Sequence, residues 1–326
     1  PVSASFWQLA APKGFWRLFR KRHSLEMMKK MVYEGRKAMK TVTIRGKEFQ
    51  AAHLDVPFEL RNPILQLDHY IMDTPIFPPH KHAGCAAVSY IFDNSEGSIA
   101  NRISLELGGN TIRPGDIHYT LSNKGMVHEE YPLKAKQPVH GLQILVNIPE
   151  SEKSKKPRMV TVESNLLPVC EEEKGVRVKV VAGTFRKTSA PKNEKLPIDF
   201  TLLDCKMEKG SKFNVEIDSG RTTWLYVVDG KGTVVGEKKK IPVSNFSSVG
   251  FSDTKGSITL ESIENLHVII GHSKPIKEPG IWGGETMGFP GVFLKDRKAI
   301  EECKKFYEAG GFGKLDVLDH KQFEKA

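Results

Sequence analysis

The sequence has few cysteines, and their spacing fits neither a metal-binding nor a disulfide framework. Its four cysteines are Cys85, Cys170, Cys205 and Cys303, which lie far apart in the 326 residues and include no Cys-x-x-Cys pair. This spacing excludes a zinc knuckle and a cysteine-dense secreted scaffold. We therefore expect the chain to work in a reducing compartment, in the cytoplasm, the nucleus or both.

Long apolar runs are also missing, and the N-terminal segment lacks acidic residues. No run approaches the ~18 apolar residues of a membrane span, so no membrane association is expected. Residues 1–40 carry ten Lys and Arg against Glu26 and Glu34, which accounts for most of the formal net charge of +10. Because this excess lies in one terminal segment, the folded core lacks the basic stripe that binds nucleic acid.

The basic segment itself has three interpretations. Its first 25 residues mix Phe and Trp with Arg and Lys and contain no acid, which is typical of a transit peptide for mitochondria or another organelle. Sequence translated in error ahead of Met27 or Met39 is a second interpretation. A solvated basic tail is the third.

Helical periodicity is rare, and short extended patterns dominate. Runs such as AAVSYIF, LQILVNI and TWLYVVDG are separated by turn signals such as DNSEG, RPGD and DGKG. Without alternation of strands and helices, this pattern predicts an all-β fold of antiparallel sandwich or barrel type. The one strong helical pattern is DRKAIEECKKFYEAG near the C-terminus, which Gly310 and Gly311 end.

A polar stretch between residues 150 and 175 divides these patterns into two similar halves. VSYIFDNSEGSI in the first half and WLYVVDGKGTV in the second have the same cadence, so we expect two tandem antiparallel β-barrels. The predicted organisation is a basic extension at 1–40, a first barrel at 41–160, a second barrel at 175–290, and a short C-terminal α-helix with a tail at 291–326.

Two histidines follow two prolines in the segment FPPHKHAG. Residues two apart on a strand point to the same face, so His80 and His82 should project together. The same alternation predicts an apolar inner face formed by Ala86, Val88, Tyr90 and Phe92. Imidazoles inside a barrel need a hydrogen bond or a metal ion, whereas an exposed pair at a loop mouth is the simpler alternative.

A second triplet with same-face spacing favours the metal. The segment NKGMVHEEYP supplies His128 and, two residues later, Glu130. Three imidazoles and a carboxylate suit Fe, Mn, Ni, Cu or Zn, and four ligands on an octahedral ion leave two positions for dioxygen or a bidentate substrate. Glu129 falls on the opposite face and is expected in solvent, and Cys85 is expected to be a small packing residue.

These residues carry a resemblance to a known family. The segments FPPHKHAG, IRPGDIHY, NKGMVHEEYP and HGLQILVNIP, in this order and at these separations, resemble the pirin family of the cupin superfamily. The resemblance implies a bicupin of two antiparallel barrels, of which the N-terminal one binds one metal ion through His80, His82, His128 and Glu130. Iron(II) is the ion that the family implies, with Mn, Ni, Cu and Zn left open.

The sequence departs from the pirin pattern beside the ligands. Family members usually continue the His-x-His triplet with Arg-Gly, an aromatic residue and Glu, where this chain has Ala83, Gly84, Cys85 and Ala86. His118 and Tyr119 replace the common Gln-Trp, and His118 is left open as a pocket or a surface residue. The wall of the pocket therefore differs from the family pattern, whereas the four ligand positions match it.

The second barrel provides an internal comparison. Counting back from Tyr226 as from Tyr90 places Glu216 and Asp218 where the first barrel has its His-x-His pair. We expect no metal in the second barrel, and structural roles for His267 and His272.

The resemblance implies two main functions. The first is a quercetin 2,3-dioxygenase type of enzyme, in which Glu130 is both a metal ligand and the catalytic base, and a small enolic or flavonol substrate reacts with dioxygen. The second is a metal- or redox-switched protein that binds transcription-related partners. A storage or scaffold bicupin with a vestigial site is a third possibility, and a monomer is expected in each case.

Overall fold

The structure is a computed structural model that describes residues 32–44, 47–191, 196–236, 239–253 and 255–320. The three interpretations of the basic N-terminal segment concern residues that lie mainly outside these ranges. The described residues form 26 strands and four short α-helices, so the predicted all-β class is confirmed. None of the described helices combines the length and apolar character needed to cross a membrane.

The chain begins with β1 (Val32–Arg36), which belongs to the second half. The strands of the first half are as follows: β2 (Lys40–Ile44), β3 (Lys47–His53), β4 (Ile64–Met72), β5 (His80–His82), β6 (Cys85–Ile91), β7 (Ile99–Ile103), β8 (Gly108–Ile112), β9 (Ile117–Leu121), β10 (Met126–Pro132), β11 (Val139–Asn147) and β12 (Arg158–Val162). The helices are α1 (Phe58–Arg61), α2 (Glu150–Lys153), α3 (Gly283–Met287) and α4 (Arg297–Glu308), and a 3-10 turn covers Ser164–Leu166.

The strands of the second half are as follows: β13 (Val169–Glu173), β14 (Val176–Ala182), β15 (Thr184–Phe185), β16 (Thr188–Ser189), β17 (Phe200–Met207), β18 (Lys212–Ile217), β19 (Thr222–Asp229), β20 (Lys231–Val235), β21 (Lys240–Ser244), β22 (Ser247–Phe251), β23 (Gly256–Ser262), β24 (Leu266–Ser273), β25 (Ile281–Trp282) and β26 (Phe293–Leu294).

Each half consists of a seven-stranded sheet facing a four-stranded sheet. In the first half the orders are β12-β9-β6-β11-β4-β3-β2 and β5-β10-β7-β8. In the second they are β1-β22-β19-β24-β17-β14-β13 and β18-β23-β20-β21. The sheets are not closed into continuous barrels, so each predicted barrel is an open antiparallel sandwich. The two halves therefore repeat the same architecture, with equal numbers of strands in the corresponding sheets, as the sequence predicts.

Part of the predicted basic extension belongs to the second half. Strand β1 pairs antiparallel with β22, with Tyr33 opposite Gly250. The interpretation of residues 1–40 as an extension outside both sandwiches is thus corrected for residues 32–36, because the exposed edge of β22 offers backbone partners that sequence patterns cannot reveal. Residues 1–31 lie outside the described part of the chain.

The two halves share one continuous apolar core. The largest buried cluster contains Val88 and Ile144 from the first seven-stranded sheet together with Leu203 and Ile269 from the second. Polar links cross the same interface, since the Tyr90 hydroxyl donates to Asp204 Oδ2 at 2.6 Å. This packing holds the sheet that forms the floor of the first sandwich in a fixed position.

The C-terminal helix is confirmed and packs beside the first sandwich. Asp296 caps α4 by accepting a hydrogen bond from the Ala299 N–H at 2.8 Å, as an Asp at this position is expected to do. Ile300 is fully buried in a cluster with Val127 and Val292. The helix therefore fixes the chain segment before it against strands β5 and β10.

Candidate metal centre

Strands β5 and β10 bring three histidines to one point. The strands are antiparallel neighbours, and His128 lies directly opposite His80 in their register. The potential ligand atoms of His80, His82 and His128 all lie within 4.8 Å of one another. Among the residues that the structure describes, this is the one such group of three or more His, Cys, Asp or Glu side chains. The sequence predicted that His80 and His82 would lie close to His128 and Glu130, and the structure shows this clustering for the three histidines.

Backbone carbonyls orient two of the three rings. His80 Nδ1 lies 3.0 Å from the Pro78 carbonyl oxygen, and His82 Nδ1 lies 3.2 Å from the Gly291 carbonyl oxygen. Because a carbonyl only accepts, each Nδ1 carries its proton and donates it. A neutral ring then keeps its lone pair on Nε2, which is the arrangement that metal-ligating histidines show.

The third ring has an atom that protein groups do not satisfy. His128 Nε2 lies 3.1 Å from His80 Nε2, while His128 Nδ1 is buried without a hydrogen-bond partner. Burial lowers the pKa of His82 to about 3 and holds the pKa of His128 well below its ordinary value. Neutral imidazoles are the form that binds a cation, and the lone pair of His80 Nε2 points at His128 Nε2, so the converging donor set fits a transition-metal ion.

Glu130 lies beside this group but is not part of it. It follows His128 by two residues on β10 and lines the same cavity. Its Oε2 accepts a hydrogen bond from the Ser89 hydroxyl at 2.7 Å. Burial raises the pKa of Glu130 to about 7, and the Ser89 hydrogen bond acts in the opposite direction. Its roles as fourth ligand and base therefore stay predictions.

The cavity in front of the histidines is narrow and mostly apolar. Its volume is about 60 Å³, whereas pockets for drug-sized ligands measure about 300–1,000 Å³. The aromatic and aliphatic lining comprises Phe49, Tyr70, Met72, Phe77, Ile99 and Leu145, and Asp68 and Gln143 add polar groups. Phe49 and Phe77 meet edge to face at 5.6 Å. A ligand of flavonol size requires side chains such as these to move.

The predicted inner face of β6 is wrong by one residue. Gly84 interrupts the extended chain between β5 and β6 with a φ of +73°, which resets the alternation. Ser89, not Val88, therefore reaches Glu130. The even-numbered residues Val88, Tyr90 and Phe92 face the second half instead, in the core that the two halves share.

Glu129 is buried, so its predicted exposure is also wrong. Only 1% of the residue is accessible, and its carboxylate accepts from Arg102 at 2.9 Å. His320, from the C-terminal tail, lies 3.3 Å from the other Glu129 oxygen. The tail covers this face of β10, an arrangement that strand periodicity alone cannot predict.

The remaining candidate residues contact other protein groups and lie outside the lining of the cavity. His118 is fully buried and does not line the cavity. Its two ring nitrogens contact the Thr161 and Thr120 hydroxyls at 2.8 and 3.1 Å. Cys85 is buried in a packing cluster, as expected. In the second half, His267 donates to Asp204 at 2.7 Å and His272 to Asp218 at 3.1 Å.

Gly291 is a site residue that the sequence analysis missed. Its carbonyl anchors His82, and the segment around it pairs with β5 through an isolated parallel bridge between Ala83 and Val292. Gly291 has a φ of +79°, and a Cβ there would lie 2.1 Å from the Lys81 carbonyl oxygen. Only glycine fits this approach, although a glycine in the segment GFPGVF gives no such signal by itself.

Replacing Gly291 by Ala should therefore weaken metal binding. The added Cβ must push the segment away from β5, which removes the hydrogen bond that orients His82. Loss of such a supporting contact typically costs about 10- to 100-fold in metal affinity. Competition with a chromophoric chelator measures this change. Gly288→Ala is the matched control, because Gly288 also has a positive φ, of +63°, but open space around its Cβ position. Equal affinities in the two variants would contradict the assignment.

Comparisons with known proteins agree with this geometry. The family profile described as Pirin matches residues 36–146, and the profile described as Pirin C-terminal cupin domain matches residues 202–313. The two profiles together cover about two thirds of the chain. The chain belongs to the pirin family. Its two sandwiches are therefore tandem cupin domains, as the sequence resemblance implies.

Individual relatives are distant in sequence. Pirin of Homo sapiens is 29% identical over 235 residues, which cover 69% of this chain and 77% of the human protein. A Pseudomonas aeruginosa protein, named provisionally as a quercetin 2,3-dioxygenase, is 26% identical over 257 residues, or 76% of this chain and 86% of that protein.

Solved structures share the fold of this pirin-family chain. A quercetin 2,3-dioxygenase from Acinetobacter baumannii superposes with a TM-score of 0.73 at 20% identity, covering 88% of this chain and 99% of that one. A bacterial pirin from Escherichia coli, solved in complex with nickel(II), gives a TM-score of 0.57 at 17% identity, covering 76% and 100%. At these identities the similarity shows the fold alone.

Proposed function

We propose that this protein binds one transition-metal ion, iron in its working form, and acts as a dioxygenase of the quercetin 2,3-dioxygenase type on an enolic or flavonol substrate. The observation that carries the proposal is the group of three neutral imidazoles, whose potential ligand atoms all lie within 4.8 Å of one another. The named relatives support the reaction type, and the donor set supports a transition metal of the Fe, Mn, Ni, Cu or Zn group.

The side chains around the site have distinct roles in this proposal. A metal ion held by His80, His82 and His128, with Glu130 as the fourth ligand, would supply Lewis acidity and redox chemistry. Glu130 lines the cavity beside the histidines, where its carboxylate is placed to accept the hydroxyl proton of the substrate. Ser89 holds one Glu130 oxygen in place, and the apolar walls keep water from the reacting groups.

The proposal is tested with protein purified without oxygen and loaded with iron(II). Consumption of dioxygen together with an enolic ketone or flavonol, and release of carbon monoxide from a flavonol, are the expected results. Metal-bound protein that consumes no dioxygen with any of these compounds would contradict it. The described contacts do not favour the alternative of a redox-switched partner of transcription-related proteins.

We expect one tightly bound metal ion per chain. The second half has Glu216 and Asp218 where the first has its His-x-His pair, and Asp218 is exposed and paired with His272. Elemental analysis of the full chain should give one equivalent, and the His128→Ala variant should retain much less than one. A second equivalent that survives in His128→Ala would contradict the prediction.

A further inference from the structure

A row of polar side chains crosses the floor of the metal cavity. In the registers of the sheet, Ser89 on β6 lies opposite Gln143 on β11, Gln143 lies opposite Asp68 on β4, and Asp68 lies opposite His53 on β3. Elsewhere the inner face of this sheet is mostly apolar, with Tyr70, Met72 and Ile91 in one buried cluster. Four polar residues aligned across four adjacent strands therefore stand out in this face.

Asp68 is the charged member of the row. It is 4% exposed and lines the cavity. His53 Nδ1 lies 2.5 Å from Asp68 Oδ1, and Gln66 Nε2 donates to Asp68 Oδ2 at 2.5 Å. A carboxylate has about four acceptor positions, so these contacts stabilise the buried group and leave acceptor positions on it.

Asp68 lies on the wall of the cavity opposite to the predicted metal ligands. The three histidines and Glu130 belong to the four-stranded sheet, whereas Asp68 belongs to the seven-stranded sheet that faces it. Both sets line one cavity of about 60 Å³. A single-ring ligand held by the metal ion would therefore reach the opposite wall, where Asp68 is the charged side chain and keeps unused acceptor positions.

We propose that Asp68 is the specificity-determining residue of the cavity. Its carboxylate accepts a hydrogen bond from a hydroxyl at the end of the ligand opposite to the metal-binding end, and His53 is the positioning residue that holds the carboxylate. The preferred ligand is thus a small planar compound with a chelating hydroxy-ketone at one end and a hydroxyl at the other. This inference rests on the proposed function, because it requires a metal-bound ligand.

A matched pair of probes isolates the far end of the ligand. Kojic acid, 5-hydroxy-2-hydroxymethyl-4-pyranone, and allomaltol, its 2-methyl analogue, share the chelating hydroxy-ketone and differ by one hydroxyl. Nickel(II)-loaded protein is used because binding is then measured by calorimetry without turnover. A hydrogen bond to a charged group predicts that the wild type binds kojic acid about tenfold more tightly than allomaltol.

Variants assign this preference to Asp68. Asp68→Asn should reduce the ratio of affinities to about two- to threefold, and Asp68→Val should reduce it to about one, with allomaltol affinity and nickel content unchanged in both. His53→Ala should lower the ratio, and His53→Gln, which keeps an N–H donor, should restore part of it. A merely structural role of the pair would change the melting temperature and leave the ratio unchanged.

Two controls test other sources of selectivity. Asp55→Asn removes a carboxylate that pairs with Lys37 outside the cavity lining, and Tyr70→Phe removes the one hydroxyl that β4 contributes to the lining; both should keep the wild-type ratio. A wild-type ratio near one, or a ratio unchanged in folded Asp68→Asn, overturns the inference. If neither pyranone binds the nickel-loaded wild type, both the inference and the proposed function fail. This outcome differs from equal binding of the two pyranones, which overturns the inference alone.

Discussion

Replacing His128 by Ala is expected to remove most of the bound metal, whereas replacing Glu130 by Gln is expected to remove turnover while part of the metal remains. His128 belongs to the group of three imidazoles, so its loss removes one of three strong donors. Gln keeps the size and one oxygen of Glu130 but cannot take up a proton. Loss of a positioned general base lowers turnover by roughly 10² to 10⁴, which steady-state oxygen consumption of iron-loaded protein measures.

A histidine of the second half provides the control for these variants. His272→Ala removes a half-buried imidazole that contacts Thr223 and Asp218, and it should leave metal content and turnover near the wild-type values. Near-normal activity of metal-loaded Glu130→Gln would eliminate the base role of Glu130. Full metal content in His128→Ala would eliminate the assigned site.

The second large effect is a loss of stability in mild acid. His69 lies in the interface between the two halves, where its Nδ1 contacts the Tyr226 hydroxyl at 3.0 Å and its Nε2 contacts His140 Nε2 at 2.6 Å. Burial, with smaller contributions from His140 and His267, lowers the pKa of His69 to about 3. Burial also lowers the pKa of His140, to about 4.

The sign of the pH dependence follows from these directions. Below about pH 6.5 His69 is protonated in the unfolded state but stays neutral in the folded interface. The unfolded state is therefore favoured increasingly as the pH falls toward the folded pKa. The stabilisation is complete above pH 6.5, and His69 alone accounts for a loss of roughly 2 kcal/mol by pH 5. Urea unfolding at pH 7.5 and pH 5 measures the change in the free energy of unfolding.

His69→Gln should reduce this pH dependence by about the same 2 kcal/mol. Tyr226→Phe is the matched control, because it removes the hydroxyl partner of His69 but keeps the titrating ring. Comparing variants in one metal state cancels the contribution of the metal-site histidines. An unchanged pH dependence in His69→Gln would show that proton uptake occurs elsewhere.

The sequence was sufficient where the relevant geometry is local. The pairs His80 with His82 and His128 with Glu130 each lie two residues apart, and two-residue spacing on an extended chain fixes a shared face. The helix at Arg297–Glu308 was likewise predictable from its period and from Gly310 and Gly311, which follow it. Alternation failed at Gly84, since one residue with a positive φ changes which side chains of β6 face the cavity.

The sequence by itself determined the all-β class and the tandem repeat, because both follow from the periods and spacing of its short strands. The identities of the three clustered histidines came from the two-residue spacing within each segment together with the resemblance to the pirin family. Only the tertiary structure decided which groups surround them. The Gly291 carbonyl reaches His82 across 209 residues, and Ser89 reaches Glu130 across 41. The row from Ser89 to His53 depends on the registers of three strand pairs. Such contacts are set by how separate strands pair and pack, and no local pattern encodes that pairing.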